Sequence, residues 1–225
     1  MDTYGRLSDN GIPMTDTAAP ARATGVLSIV TGVATFALLV SHPGGDAHTF
    51  ADVLKDEAAN RTMDAIVHGG FVVVLALQAI CYATLSARIG RGAIAGLVLF
   101  AFGAAFLSAS MVLDGLVTPA LAVKYLAAPN KIDFAKSLFA LVGTLISLLM
   151  PIGLAFQSAA IAAWGAALMT GGISRVAGVI AVALGGAAFV ALAITVGAMN
   201  PVVLMGTLAA TALWAAVAGI VLLRG

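Results

Sequence analysis

The fold is decided by residues 41–70, SHPGGDAHTFADVLKDEAANRTMDAIVHGG, which form the one long polar interruption between the apolar segments of this chain. All three histidines and half of the ten acidic residues lie in this stretch. The segments on both sides of it are compatible with lipid. Any chemistry is therefore expected to depend on where the fold places this stretch.

The composition is that of an integral membrane protein. Hydrophobic residues make up 61% of the 225 residues, and charged residues only 9%. Soluble domains are about one quarter charged, so these charges are too few to cover a surface exposed to water. Apolar runs of about 18 residues or more recur, and each is long enough to cross a hydrocarbon core about 30 Å thick. The net charge of +1 argues against a nucleic-acid partner and leaves the lipid bilayer as the expected surroundings.

Six segments have the length and apolarity of transmembrane helices, and they predict an all-α, six-helix membrane bundle. A polar tail over residues 1–23 precedes a single transmembrane domain over residues 24–225. The predicted spans are residues 24–41, 65–87, 92–113, 137–170, 176–199 and 202–223. The fourth is expected to be one tilted or kinked helix, because it contains Pro151 and is too long for one straight crossing.

The polar stretch also contains signals for a short helix of its own. The Pro-Gly-Gly sequence at 43–45 ends the first span, and Thr49 with Asp52 three residues later has the spacing of a capping box. Residues 50–60 then carry apolar and charged residues on opposite helical faces. These features predict a short amphipathic helix at the membrane surface, within the first outer loop.

Basic residues near the ends of the spans predict the orientation of the bundle. Arginines lie close to the span ends on the side of the two termini, whereas the opposite side carries mainly lysines diluted in longer loops. The first set is Arg6, Arg22, Arg88, Arg91, Arg175 and Arg224, and the second is Lys55, Arg61, Lys124, Lys131 and Lys136. We therefore expect both termini in the cytoplasm and the polar stretch on the outer face.

The alternation of the spans places several polar residues in one outer layer. His42 ends the first span, His68 lies about one turn inside the second, and Asp114 ends the third. We therefore predict that these three side chains lie close together. The same layer is expected to contain His48, Asp64, Lys136 and Asn200, and also Met63, Met111 and Met199.

Three interpretations of this outer layer stay open at the level of sequence. The first is a metal or haem site, since imidazole binds zinc, copper and haem iron. Its candidate ligands are His42, His48, His68 and Asp114, supported by Asp64, Lys136 and Asn200. The second is a passage for an ion or small solute, although the predicted span centres contain no charged residue and no histidine. The third is structural: the polar groups satisfy each other, and the Gly- and Ala-rich faces at 92–96 and 183–188 pack against helices, a partner protein or a second copy.

Signatures of enzymes are missing from the sequence. It has no glycine-rich phosphate loop, no nucleophile elbow and no carboxylate pair within a span. Cys81 is the single cysteine, which excludes a disulfide or a thiolate zinc site within one chain. The favoured function is therefore non-enzymatic: a membrane subunit or accessory protein whose outer cluster is able to bind a ligand or metal. A metal- or haem-binding redox or metal-handling protein and a small-solute or ion transporter are the alternatives.

One local pattern resembles a known group of proteins. It consists of His42-Pro43 directly after a first span, a short polar loop, and Val67-His68 at the start of the second span. This pattern, which covers about the first third of the chain, resembles a family of uncharacterised bacterial multi-pass membrane proteins. The resemblance implies a location in the bacterial inner membrane and implies nothing about activity.

Overall fold

The computed structural model describes residues 18–42, 48–171, 173–195 and 200–224, and these residues form helices and no strands. The α-helices are α1 (Ala18–Val40), α2 (Phe50–Ile89), α3 (Ile94–Val112), α4 (Thr118–Leu126), α5 (Ile132–Thr170), α6 (Arg175–Ile194) and α7 (Pro201–Leu223). Six helical stretches are long and apolar enough to cross a membrane, with α3 and α4 in a single stretch. The predicted all-α, six-span architecture is confirmed.

The helices differ in length from the predicted spans. The second, third and fourth spans belong to stretches of 40, 36 and 42 residues, Phe50–Ile89, Arg91–Leu126 and Pro129–Thr170. At about 1.5 Å of rise per residue, these stretches are longer than a hydrocarbon core about 30 Å thick. Their charged ends therefore project beyond it on the side of the polar stretch. The fourth span is one helix, as predicted, and it continues through Pro151.

Two predicted boundaries fall near residues outside the described part of the chain. α1 begins at Ala18, so it includes the last six residues of the predicted tail, 18–23, and residues 1–17 lie outside the description. The fifth span ends with α6 at Ile194, whereas the prediction extended it to residue 199. Residues 196–199 are not described.

The segment predicted as a short surface helix is helical, and it continues into the second span without a break. Thr49 is the N-cap, and its hydroxyl oxygen accepts a hydrogen bond from the backbone N–H of Asp52 at 3.2 Å. No glycine or proline occurs between Phe50 and His68, and many residues there favour helix, so nothing in the sequence ends the helix at the membrane surface. The first turns of α2 pack instead on α4 and α5 through Leu54.

We expect loss of the Thr49 cap to destabilise the protein slightly. Thr49→Ala removes the acceptor for the Asp52 N–H, which costs about 1 kcal/mol of unfolding free energy in helical proteins. Thermal unfolding of the purified protein in detergent measures this change. Thr62→Ala, on the exposed side of the same helix, is the matched control. Equal stability of Thr49→Ala and the control would contradict the capping role.

A wide helical turn stands where the sequence predicted an interruption after the third span. Residues Leu113–Val117 form a π-helical turn between α3 and α4, so the chain passes Asp114 and Gly115 while remaining helical. Pro119 does not end the helix, and it lies in the first turn of α4, directly after the π-helical turn. The Thr118 hydroxyl donates to the Leu113 carbonyl at 2.9 Å and helps to close the wide turn.

Small residues allow the helices to approach closely, as predicted for the Gly- and Ala-rich faces. A Cβ atom at Gly96 would lie 2.7 Å from Nε1 of Trp164, and one at Gly165 would lie 2.7 Å from the Gly178 carbonyl oxygen. Gly185 packs directly against the backbone of α5. These contacts bring α3, α5 and α6 close together. In lipid, close packing of this kind holds helices together in place of the hydrophobic effect.

The two ends of the bundle differ in their acidic residues. We call the end with His42, His68 and Asp114 the histidine end, and the end with Arg88 and Arg224 the arginine end. All acidic residues of the described ranges lie at the histidine end: Asp52, Asp56, Glu57, Asp64, Asp114 and Asp133. The described charges of the arginine end are Arg22, Arg88, Arg91, Arg175 and Arg224. The histidine end also carries five basic residues, Lys55, Arg61, Lys124, Lys131 and Lys136, so the described ends differ in their acidic residues and not in the number of basic ones.

Candidate metal centre

Three elements bring three potential ligands together at the histidine end. His42 follows the end of α1, His68 lies in α2, and Asp114 lies in the π-helical turn. One ligand atom from each side chain, an imidazole nitrogen or a carboxylate oxygen, lies within 4.8 Å of the other two. The predicted convergence of these residues is confirmed.

His68 is the buried centre of this group, with 3% of its surface exposed. Its Nδ1 lies 2.9 Å from the backbone carbonyl oxygen of Asp64, one helical turn earlier. Its Nε2 lies 3.1 Å from Oδ2 of Asp114. The ring is therefore held at both nitrogens, in an orientation that helix α2 and the π-helical turn fix together.

The π-helical turn and its glycine explain how Asp114 reaches His68. Gly115 lies directly on His68, so that a Cβ atom at this position would overlap the Cβ of His68 and would come within 2.6 Å of its Nδ1. The absence of a side chain lets the two backbones approach, and the extra residue in the turn places the Asp114 carboxylate at Nε2. Single π-turns inside helices frequently occur at functional sites.

His42 completes the group from the solvent side. Its ring packs edge-on against the ring of His68, with 5.0 Å between the centroids and an interplanar angle of 78°. The end of α1 is fixed below it, because Leu39 belongs to a buried cluster with Val67 and Phe71 of α2. His42 itself is exposed, so the group is open to solvent on this side.

The contact between His68 and Asp114 requires a cation. The Asp64 carbonyl can only accept a hydrogen bond, so Nδ1 of His68 carries the ring proton. In the neutral ring, Nε2 then directs a lone pair at the carboxylate oxygen, which also carries lone pairs. Either a further proton or a metal ion bound by both groups removes this repulsion. The geometry is that of a histidinium–aspartate ion pair, in which a metal ion could take the place of the second ring proton.

Two further predicted members of the layer have different roles. Asp64 is buried, and it contributes its backbone carbonyl to His68, in agreement with the predicted supporting position. His48 is exposed just before the N-cap of α2, and it supplies no ligand atom to the group formed by His42, His68 and Asp114. Its role as a ligand stays a prediction.

Lys136 and Asn200 make other contacts than the predicted supporting ones. Lys136 is exposed and pairs with Asp133, three residues earlier, with 3.6 Å between Nζ and Oδ1. Asn200 is the N-cap of α7, and its Oδ1 accepts from the backbone N–H groups of Val202 and Val203 at 3.0 and 3.3 Å. Both side chains thus have local partners, because a salt bridge within one turn or a cap needs no contribution from another helix.

The methionines do not supplement the ligand set. Met63 is largely exposed on α2, and Met111 is buried among Leu39, Val67 and Phe71, where it fills the core. Met199 lies outside the described residues. The donor set described here is therefore two imidazoles and one carboxylate.

Glu57 belongs to the same electrostatic environment, although sequence reasoning missed it. Burial of its side chain, and next the carboxylates of Asp64 and Asp114, raise the pKa of Glu57 to about 7. Glu57 lies in the part of α2 that projects beyond the predicted span 65–87. The signal was present in the spacing, because Glu57, Asp64 and His68 recur at intervals of seven and four residues on one helical face. In the described ranges, no lysine or arginine is paired with these carboxylates.

We expect Glu57 to make stability depend on pH near neutrality. Its folded-state pKa of about 7 lies above the ordinary 4.5, so the folded protein holds this proton more tightly than the unfolded chain does. Stability therefore falls as pH rises from the ordinary value through the folded value. Glu57→Gln is expected to be more stable than the wild type at pH 8, by about 1 kcal/mol after allowance for solvent screening, and equal to it at pH 4.

Thermal unfolding in detergent at the two pH values tests this expectation. Asp133→Asn is the matched control, because it removes one negative charge from the same end at a fully solvated position. A pH dependence of Glu57→Gln that equals that of the wild type would contradict the assignment. An equal gain in Asp133→Asn at pH 8 would assign the effect to net charge.

No family model, curated protein or solved structure matches the chain. The resemblance of the His42-Pro43 and Val67-His68 pattern to bacterial multi-pass membrane proteins therefore stays a prediction. The function has to be argued from the geometry of the site.

Proposed function

We propose that this integral membrane protein binds a divalent transition-metal ion at its histidine end, with His42, His68 and Asp114 as ligands. One observation carries the proposal: Nε2 of His68 faces Oδ2 of Asp114 at 3.1 Å while Nδ1 is already engaged with the Asp64 carbonyl. This arrangement needs a positive charge between the two groups, and a metal ion supplies that charge as a second ring proton does. The protein is then an accessory protein or subunit that holds a metal ion at the membrane surface.

The distances suit an ion of the size and geometry of zinc. Ligand atoms bound to Zn²⁺ at about 2.0–2.1 Å lie about 3.3 Å apart in a tetrahedral site. The 3.1 Å between Nε2 and Oδ2 is close to this value. A nitrogen of His42 lies within 4.8 Å of both of these atoms. The Asp64 carbonyl acts as the outer partner that fixes the orientation of a ligating histidine.

The donor types favour a transition metal over calcium or magnesium. Two imidazoles and one carboxylate match the preferences of Zn²⁺, Cu²⁺, Ni²⁺ and Co²⁺, whereas Ca²⁺ and Mg²⁺ prefer oxygen ligands alone. The carboxyl groups of Glu57 and Asp64 lie nearby without a lysine or arginine partner among the described residues, and a bound cation would favour their ionised forms. The field of the ionised groups favours a divalent cation over a neutral ligand.

The contacts around His68 favour a small ion over a haem. A haem iron bound at Nε2 would displace the Asp114 carboxylate, and Gly115 lies so close to His68 that a macrocycle has no room on that side. A transport function receives less support as well. The cavity between Thr35, Gln78 and Gln157 measures about 20 Å³, which accommodates about one water molecule.

The charge pattern supports an orientation for the proposed site. The five described basic residues of the arginine end are arginines close to the ends of the helices, whereas the five of the histidine end are spread over longer segments, and basic residues close to the ends of spans favour the cytoplasmic side. Both termini would then be cytoplasmic, and the metal site would face the outside of a bacterial inner membrane. Accessibility labelling of His42→Cys in the Cys81→Ala background, from either side of the membrane, tests this orientation.

Metal titration of the purified protein tests the proposed function. We expect the wild type to bind one equivalent of Zn²⁺, and Co²⁺ to give visible absorption bands typical of nitrogen and oxygen ligands. Asp114→Asn is expected to weaken binding by about tenfold or more, because it removes the charge of a ligand. Asp133→Asn is the matched control and is expected to bind as the wild type does. Absence of stoichiometric binding, or equal binding by Asp114→Asn, would contradict the proposal.

A further inference from the structure

A second cavity lies at the arginine end, on the opposite side of the bundle from the metal site. It has a volume of about 370 Å³ and opens between the end of α2, the start of α6 and the end of α7. Two arginines and a serine stand at its polar part: Arg88, Arg224 and Ser174. The rest of its wall is apolar and includes Val176, Val217 and Ile220.

Arg88 is held in place beside this cavity. Its Nη1 donates to the backbone carbonyl oxygens of Val221 and Leu222 at 3.4 and 3.2 Å, where it caps the end of α7. A guanidinium group has five N–H donors, so the other nitrogens stay available for a ligand. Arg224 follows the last turn of α7 and adds a second positive charge to the same cavity.

The start of α6 adds polarity of the same sign. Ser174 is the N-cap, and its hydroxyl oxygen accepts from the Ala177 N–H at 3.2 Å, which leaves the hydroxyl proton for another acceptor. The N-terminus of a 20-residue helix also carries partial positive charge. Among the described residues, no acidic side chain lines the cavity, and all acidic side chains of these ranges lie at the other end of the bundle. The site is therefore complementary to an anion.

The apolar walls indicate the kind of anion. Val217 precedes Arg224 by seven residues, so the cavity extends about 10 Å along the helix from the arginine toward the hydrocarbon region. Val176 is 72% exposed, and Ile220 is partly exposed, so the walls also face the lipid. A soluble anion would leave these apolar surfaces uncovered, whereas the glycerol and first acyl carbons of a phospholipid would cover them.

From these contacts we infer that the cavity between α2, α6 and α7 binds an anionic phospholipid, with its phosphate at Arg88, Arg224 and Ser174. Basic pockets between transmembrane helices are a known way to hold acidic lipid head groups. The lipid would join the ends of α2, α6 and α7, which are far apart in sequence. This inference is independent of the metal site, because no residue is common to the two.

Native mass spectrometry of the full-length protein in detergent tests the inference with phosphatidylglycerol and phosphatidylcholine at equal concentration. We expect one retained phosphatidylglycerol, preferred over phosphatidylcholine by about twenty-five-fold, since each of the two arginines near the lipid head group contributes about a fivefold preference. Arg224→Gln is expected to reduce this preference to about fivefold. Arg91→Gln, at the same end but outside the cavity, is the matched control.

Three results would overturn the inference. The first is equal retention of the two lipids by the wild type. The second is an equal loss of preference in Arg91→Gln and Arg224→Gln, which would assign the effect to net charge. The third is displacement of the lipid by millimolar inorganic phosphate, which would identify a site for a soluble anion. Arg224→Gln serves as the main variant because Arg88→Gln also removes the cap of α7.

Discussion

Replacement of His68 by alanine is expected to weaken zinc binding by about a hundredfold or more. Mutation of a residue that only orients a metal ligand already lowers metal affinity by about tenfold to a hundredfold, and His68 is itself a ligand of the proposed site. His68 is the buried ligand, and its ring is fixed by Asp64 on one side and Asp114 on the other. Without it, the exposed His42 and a single carboxylate remain. Two such ligands, on separate elements, offer little preorganised affinity. Competition titration with a chromophoric zinc chelator measures the change.

His48→Ala is the matched control for this experiment. It removes a histidine from the same end of the bundle and from the same polar stretch, but His48 supplies no ligand atom to the group. It is expected to bind zinc as the wild type does. If His48→Ala lost as much affinity as His68→Ala, the ligand set proposed here would be wrong. If His68→Ala bound as the wild type does, no metal site would remain at this end.

His42→Ala separates loss of a ligand from loss of the fold. His68 is buried, so its truncation also leaves a cavity and frees the Asp114 carboxylate, and both effects lower stability. His42 is exposed, and its removal is expected to lower thermal stability less than His68→Ala does, while it weakens zinc binding by about tenfold. Full affinity in a folded His42→Ala variant would reduce the proposed site to His68 and Asp114.

Much of the architecture could be predicted because it depends on apolar length and on alternation. A long apolar run must cross the bilayer, and each crossing reverses the side on which the next polar residue emerges. This reasoning places His42, His68 and Asp114 at one end of the bundle without knowledge of any contact. The same reasoning gives the position of each residue along the membrane normal. For these three residues, that position was sufficient to predict that they lie close together.

Depth alone does not say which way a side chain points around its helix. Lys136 and Asn200 were assigned to the same layer, yet one pairs with Asp133 and the other caps α7. Glu57 was missed for the same reason, since the break expected after residue 60 separated it from the helical face of Asp64 and His68. α2 is continuous because this segment contains no glycine or proline. The polar composition of the segment led instead to the prediction of a separate surface helix.

The π-helical turn is the feature that sequence reasoning could least anticipate. Asp114-Gly115 was interpreted as an interruption, because glycine in an apolar helix usually weakens it. The structure uses the glycine for close approach to His68 and keeps the helix intact. Such a turn depends on a partner helix that occupies the space where a side chain would otherwise lie. The local sequence around the turn does not show which helix this is.

The second large effect is expected when the close contact between Gly115 and His68 is disrupted. Gly115→Ala introduces a Cβ that would overlap the Cβ of His68, which is the rigid base of that side chain and cannot move aside alone. Either α2 or the π-helical turn must shift, and overpacking of this kind costs about 1–3 kcal/mol. The shift also separates Nε2 of His68 from the Asp114 carboxylate. We expect zinc affinity to fall by about tenfold or more.

Gly69→Ala is the matched control, and its expected effect on stability has the opposite sign. Gly69 follows His68 in α2, and a Cβ there would meet nothing within 4 Å. Alanine is favoured over glycine inside a helix by about 1 kcal/mol, so this variant should be slightly more stable than the wild type and should bind zinc equally well. Thermal unfolding and zinc titration of both variants separate the two cases. Because the two glycines lie on either side of the same histidine, equal behaviour of the variants would mean that the Gly115–His68 contact does not hold the site together.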